Sequence, residues 1–429
     1  MKNPIAITGM GILSPFGCGL TAFTKALEET KTAIDFISPT ELESVLTIAA
    51  TLRQFDYKQD LAQMNYLSDH HLKTALRLGH RAPLAIQASF IAALEAWYQA
   101  NLDDHFYDSA RIGLIAAGNN TSTSLSYMHF QNYLKEPAYI SPSYALHFLD
   151  TSHIGYVSEL LNIHGEGFCV GGASASGNAA IIQAARLIEL GVVDVCLVLG
   201  IMTQLSPIEL QALRNISALG GVNFAQQPEK ACRAFDQQHE GFIPGESSAC
   251  LILENLATAK KRQAPLYGYY LGGAQYLDAN RTSDPDCAGE VMVMQKTLQN
   301  AGLSSNDIDY VNAHGTSAPK GDEVELAALQ LVFQENKNKV WINSTKGLTG
   351  HCWWSAGVVE AIASIIQLNG QFVHGNRNLE DPIDNDFRQN CALASQESIS
   401  AKINKALSNN FAFGGINTCI ALQGQRSSS

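Results

Sequence analysis

Four stretches of the chain carry side chains able to do covalent or acid–base chemistry, each placed just past a strongly apolar run. Ser174 lies in GASASG, His314 in VNAHGTSAPKGDEVE, Lys346 and His351 in STKGLTGHCWWSAG, and Phe411 and Phe413 in the glycine-rich SNNFAFGGIN. A hydroxyl at the start of a buried helix faces unsatisfied backbone N–H groups and the positive end of the helix dipole, so Ser174 reads either as an N-cap or as a reaction centre. As a nucleophile it would need a committed general base. Neutral imidazole N–H groups can instead donate to an oxygen that gains negative charge. A single histidine after a strand is ordinarily a hydrogen-bonded structural residue; the ordered set of four stretches points to a site.

Other reactive residues read as structural. The pair His70-His71 projects to different faces of a helix, which predicts surface histidines and no metal centre. The nine cysteines (18, 169, 196, 232, 250, 287, 352, 391 and 419) show no CxxC or metal-ligand spacing, so neither a disulfide framework nor a zinc site is expected. Cys169 inside a strand and Cys352 beyond His351 are the nearest alternatives to Ser174 as nucleophile; both read as packing residues.

The elements that must position these residues alternate strand and helix. From Phe168 to Gly200 the pattern is a strand, a Gly-Gly turn, a helix and a second strand, and between Ser176 and Leu190 apolar residues occupy nearly the whole helix circumference, marking a helix packed inside the protein. Earlier come a short strand over Ile5–Gly9, a mainly helical region from 18 to about 110, and a buried strand over Ile112–Gly118. A Tyr-, Ser- and Asn-rich segment, 119–160, has the look of an active-site or subunit-contact excursion. The stretch CRAFDQQHEGFIPGESSACLILE (232–254) is a glycine-rich turn leading into a strand. Beyond it the rhythm repeats: PLYGYYLGGAQYL, DYVNAHG and KVWINSTKG as strands, GEVMVMQKTLQNAGL, DEVELAALQLVF and SAGVVEAIASIIQLNG as helices, and a final strand pair ending in NTCIALQG. The expected fold is α/β, with two similar halves, 1–256 carrying Ser174 and 257–429 carrying His314, Lys346 and His351, built on mixed, mostly parallel sheets covered by helices.

Composition agrees with a compact enzyme. The 429 residues are 46% hydrophobic and 16% charged, with 34 glycines, and the formal net charge of −12 argues against non-specific nucleic-acid binding. No run is long enough to span a membrane, and MKNPIAITGMG reads as a strand and not as a signal peptide, so a cytoplasmic protein is expected.

Taken together, these motifs resemble the β-ketoacyl synthases of fatty-acid and polyketide assembly, over essentially the whole chain. ITGMGILSPFG is similar to the family's opening strand and turn, FDQQHEGFIPGESSACLILE to its mid-chain motif, NAHGTSAPKGDEVE and STKGLTGH to its two histidine motifs, and SNNFAFGGIN to its C-terminal loop. The resemblance implies a thiolase-like fold of duplicated α-β-α-β-α halves. It also implies a homodimer, an acyl carrier protein as partner and no cofactor beyond the phosphopantetheine arm of that carrier. It assigns His314 and His351 as the active-site histidines, Lys346 as the family lysine with Glu325 as its acidic companion, Thr316 as a pantetheine ligand and Phe413 as the gating phenylalanine. Lys73, Arg77 and Arg81, at helical spacing, are candidates for docking an acidic carrier.

The chain departs from the family where the chemistry is most exposed. Its nucleophilic cysteine is replaced by Ser174, the second pantetheine threonine by Ala318, and FGFGGTN by FAFGGIN, with Ala412 and Ile416; Trp353 and Trp354 crowd His351. A cysteine near a pKa of ~8.5 can be ionised by a helix N-terminus, whereas a serine lies beyond what a dipole worth about 1 kcal/mol can repair. Acyl loading should fail. Decarboxylation of a malonyl thioester, which needs only donors at the thioester oxygen, should persist. The departure implies a malonyl-carrier-protein decarboxylase, similar to the serine-bearing ketosynthases of polyketide β-branching, which feed an HMG-synthase-like partner. Alternatives are a chain-length-factor-like subunit of a ketosynthase heterodimer, a Ser174 nucleophile that forms an oxyester, and a serine engineered into a condensing enzyme.

Overall fold

The computed structural model describes residues 4–37, 46–103, 107–384 and 391–425. The first three residues of the opening stretch lie outside the described residues. Ten strands form the frame: β1 (Ile5–Ser14), β2 (Ile112–Ala117), β3 (Gly167–Val170), β4 (Val195–Gly200), β5 (Ser248–Asn255), β6 (Gly268–Leu277), β7 (Tyr310–Asn312), β8 (Val340–Asn343), β9 (Lys405–Ala412) and β10 (Ile416–Gly424). They lie in one mixed sheet in the order β8-β7-β9-β10-β6-β1-β5-β4-β2-β3, with Cys391–Leu393 at the β8 edge. Reading outward from the middle, each half runs first, fifth, fourth, second, third strand, and each is antiparallel near the middle and parallel at its outer end. The halves meet where β1 and β6 pair antiparallel, Ile5 opposite Tyr270 and Ile7 opposite Gly268.

Five helices build the layers: α1 (Leu84–Gln99), α2 (Ser176–Glu189), α3 (Cys287–Ala301), α4 (Pro319–Phe333) and α5 (Ala356–Gly370). Helix α1 covers the first half and α3 and α4 the second, while α2 and α5 lie between the halves and touch strands of both. Enclosure explains their composition: α2 buries Ala179 to Ile182, Ala184, Ala185, Leu187 and Ile188 and leaves only Gln183, Arg186 and Glu189 of its second half toward solvent, and α5 buries Val358, Val359, Ala361 to Ala363 and Ile365. The two cross at glycines. A Cβ on Gly177 would lie 2.6 Å from Gly357 Cα, and one on Gly357 would lie 2.6 Å from Asn178 N. Backbone contact this close is open only to residues without a side chain.

The region 18–110 is helical as expected, with helices at Leu20–Glu28, Tyr57–Gln63 and Asp69–Gly79 before α1. The expectation of two surface histidines there is corrected: His70 is exposed, but His71 is buried, its Nδ1 2.8 Å from Tyr98 Oη and 3.4 Å from Asp103 Oδ1. Adjacent residues do diverge, and one of the two directions points inward. All nine cysteines are free thiols. No helix among the described residues is long and apolar enough to cross a membrane.

Candidate active site

Ser174 does not open α2 itself. It sits one turn earlier, in a short 3₁₀ turn, Ala173–Ala175, that Ser176 secures: the Gly172 N–H donates to Ser176 Oγ (2.9 Å), and that hydroxyl donates to Ala173 O (2.7 Å). Ala173 takes a left-handed backbone at φ +46°. The second half repeats the device. Trp353, at φ +51°, opens the 3₁₀ turn Trp353–Ser355 ahead of α5. Both central helices therefore present their N-termini to one place.

His351 faces Ser174 across that place. Its main chain is held by the 243–245 segment: the His351 N–H donates to Ile243 O (2.6 Å) and the Gly245 N–H to His351 O (2.9 Å). A Cβ at Gly245 would lie 2.2 Å from Thr349 O, so the glycine of FIPGESSAC is required where the two segments meet. The Trp353 N–H donates to His351 Nδ1 (3.0 Å), and His351 Nε2 lies 2.9 Å from Ser174 Oγ. Burial, and then the positive charge of Lys346, push the His351 pKa well below the ordinary imidazole value. The neutral ring accepts at Nδ1, so its proton is on Nε2, and Nε2–H donates to the serine oxygen.

His314 stands beside it, with ring centroids 5.8 Å apart and planes at 87°. Burial, and then the positive charge of Lys346, hold it neutral as well. Its Nδ1 is buried and has no hydrogen-bond partner among the described residues. Phe411 packs edge-on against its other side, at 5.8 Å. Ser174, His314, His351, Thr316, Ala318, Phe411 and Phe413 line one cavity of about 1200 Å³, which the excursion after β2 and the tryptophans Trp353 and Trp354 also wall. Phe413 is 42% exposed. The excursion thus serves the active site.

Lys346 and Glu325 lie behind the histidines and do not pair with each other. The expected companion is corrected: Lys346 Nζ donates to Glu360 of α5, whose other oxygen accepts from Asn410 Nδ2 at 2.6 Å. Glu325 instead accepts the backbone N–H groups of His314 (2.8 Å) and Gly315 (2.7 Å), which makes it the anchor of the His314 loop. Burial raises its pKa to about 7. Glu360 is a signal the sequence offers but spacing to Lys346 does not: a lone carboxylate in an all-apolar helix must have a partner in the core. Ser176 and the Trp353 amide were hidden for another reason, since their work is done on the main chain.

The cysteines near the site are inert. Burial pushes Cys169 up to about 11, and Cys352 likewise to about 11. Among the basic docking candidates, Lys73 and Arg77 lie on the helix Asp69–Gly79 and Arg81 beyond its end. None lines the cavity, and Arg77 is paired with Glu159 at 3.0 Å.

Twin helix N-termini, two neutral imidazoles and a buried lysine–glutamate pair at the junction of two repeated halves define a chain of the β-ketoacyl synthase family. Residues 2–259 match the family's N-terminal domain model and residues 269–380 its C-terminal domain model, and the protein belongs to that family. It is similar to the polyketide biosynthesis malonyl-ACP decarboxylase PksF of Bacillus subtilis (strain 168), at 37% identity over 98% of this chain and 96% of the relative. It is also similar to the 3-oxoacyl-[acyl-carrier-protein] synthase 2 of Coxiella burnetii, at 29% identity over 98% of each chain. The crystal structure of a β-ketoacyl synthase from Burkholderia phymatum STM815 superposes with a TM-score of 0.83, 25% identical, over 99% of this chain and 100% of that one. The fold is thiolase-like.

Proposed function

We propose that the protein decarboxylates malonyl-S-acyl carrier protein to acetyl-S-acyl carrier protein and performs no condensation. One observation carries this reading: His351 Nδ1 is occupied by the Trp353 N–H while Nε2 faces Ser174 Oγ. A ring fixed in this tautomer cannot take the serine proton, so Ser174 lacks the committed base that an oxyester nucleophile needs. The same ring is ready to donate.

With a malonyl thioester in the cavity, Nε2–H of His351 and an N–H of the His314 ring donate to the thioester oxygen. The bond from the α-carbon to the carboxylate breaks, CO2 leaves, and the electron pair is held as an enolate whose charge rests on that oxygen. Such preorganised donors are each worth about 10²–10³ in rate. No acyl group waits on Ser174, so the α-carbon takes a proton from water and the product is an acetyl thioester. Trp353 and Trp354 wall the cavity beside His351, and the name of the Bacillus relative, a malonyl-ACP decarboxylase, agrees with the reaction.

The protein's partner in this reading is an acyl carrier protein, with no cofactor other than the carrier's own thioester arm. Intact-protein mass spectrometry of malonyl-loaded carrier protein incubated with the enzyme tests it. Loss of CO2 from the carrier with no adduct on the enzyme supports the reading, and a stable acyl group on Ser174, or an unchanged malonyl carrier, overturns it.

A further inference from the structure

The cavity holds one carboxyl group that the chemistry above does not use. Glu290, in the first turn of α3, is 1% exposed and lines the cavity, and among the described residues neither of its oxygens has a hydrogen-bond partner. Buried carboxyls without a partner cost several kcal/mol unless something satisfies them. The ionisable groups that bear on it are acidic: Asp278 at the end of β6, Asp286 at the cap of its own helix and Glu325 from α4, with the Cys287 thiol beside them, while Lys320, on the same cavity, is paired with Asp284. From β10 the neighbour is the uncharged Asn417, whose Nδ2 is already committed to Asp278 Oδ1 at 2.6 Å.

We propose that Glu290 is a substrate-binding residue whose carboxyl O–H donates to a carbonyl oxygen of the carrier-bound thioester arm. This rests on the reading of the substrate given above. Burial, and then the negative charges of Glu325 and Asp278, hold the Glu290 pKa well above the ordinary carboxylate value, so the group is a neutral acid with a donor to offer. Its occupant must therefore be a neutral acceptor. A cation is a poorer fit, because among the described residues no group of three or more His, Cys, Asp or Glu side chains is arranged to hold a metal ion. The arm of a carrier protein is rich in amide and thioester carbonyls. Thr316, and Ala318 with no hydroxyl to offer, line the same cavity as Glu290. The negative malonyl carboxylate is spared a like charge as long as Glu290 keeps its proton.

The test measures binding separately from turnover. Calorimetry with malonyl-pantetheine amide, in which NH replaces the thioester sulfur, gives Kd for the wild type, Glu290→Ala and Glu290→Gln; KM and kcat with malonyl-loaded carrier protein are measured in parallel. Glu290→Ala should raise Kd and KM by about tenfold, the worth of one buried hydrogen bond, with kcat changed far less. Glu290→Gln, which keeps a neutral donor, should restore Kd and remove the high-pH rise in KM that ionisation of Glu290 gives the wild type. Equal Kd in all three proteins, or an unaltered pH profile in Glu290→Gln, overturns the proposal. If wild type binds the amide but releases no CO2 from the malonyl carrier, the decarboxylase reading falls while the role of Glu290 in binding is still decided by Kd. Thermal melts of both variants report any loss of folding.

Discussion

A serine hydroxyl within 2.9 Å of a histidine is commonly read as a nucleophile with its base, and here the third partner reverses that reading. With the Trp353 amide proton on Nδ1, the imidazole is a donor on the side that faces Ser174 and the cavity. The consequence is a ranking. His314→Ala and His351→Ala should each lower the rate of CO2 release by about 10²–10³, since each removes a donor from the developing oxyanion. Ser174→Ala should keep a measurable fraction of wild-type turnover, because it removes only a group that waits in the donor's path. Single-turnover release of CO2 from malonyl-loaded carrier protein measures all three, and a Ser174→Ala protein less active than both histidine variants would refute the ranking. The residues in this argument were legible because Ser174, His314 and His351 each sit in a short local motif. Glu325 is assigned to Lys346 by the family resemblance; the actual pair, Lys346 with Glu360, is made by a helix packing over the loop, which spacing along the chain does not encode.

At the scale of elements, the site depends on how closely α2 and α5 approach. Gly177 meets Gly357 backbone to backbone, with no flexible side chain able to give way. Gly177→Ala should therefore cost about 1–3 kcal/mol in urea unfolding and lower turnover about 10²-fold by shifting the start of α5, and His351 just ahead of it, relative to His314. Gly155→Ala, in the helix Thr151–Leu161 where a new Cβ meets nothing within 4 Å, is the control: it should stabilise by about 0.5–1 kcal/mol and leave turnover alone. The turn before α2 predicts the opposite sign from the crossing. Ala173 is held at φ +46°, a conformation that costs an alanine about 1 kcal/mol, so Ala173→Gly should raise the urea midpoint. The two central helices could be read from composition, since an all-round apolar stretch has nowhere to go except inside. Their 3₁₀ entries could not: Ala173 and Trp353 take left-handed backbones without being glycines, and each is tied by a side-chain-to-backbone bond to a residue two or three positions away, Ser176 and His351, that no residue pattern announces.

Across the whole molecule, carboxyl groups serve as buried acceptors for backbone N–H groups, and this sets the pH at which the fold is most secure. Glu95 on α1 accepts from Ile12 and Leu20, each at 2.8 Å, and so ties β1 and the following helix to α1; Glu325 does the same for the His314 loop. Burial raises both to about 7, against 4.5 when unfolded. For such a group the stabilising contribution is fully present below pH 4.5 and is lost as the pH climbs through 7, because over that window the folded chain still binds a proton that the unfolded chain has released. Between about pH 6 and pH 8 each of the two should cost on the order of 1 kcal/mol, and Glu290 acts in the same direction. The reverse sign belongs to Asp236, whose pKa is lowered against its burial by hydrogen bonds from Arg233 and the backbone of residues 380–381, so its contribution is lost only as the pH falls below the ordinary carboxylate range. Net charge reinforces the first group, because protonation relieves the self-repulsion of a chain at −12. The urea midpoint should accordingly be higher near pH 6 than near pH 8, and Glu95→Gln should shrink that difference by roughly one carboxyl's share, on the order of 1 kcal/mol, while lowering stability at both pH values through the loss of one acceptor. A midpoint that is flat or rising from pH 6 to pH 8 would show that these carboxyls ionise in the folded chain as freely as in the unfolded one, and that burial at the first strand and at the His314 loop is not what sets their protonation.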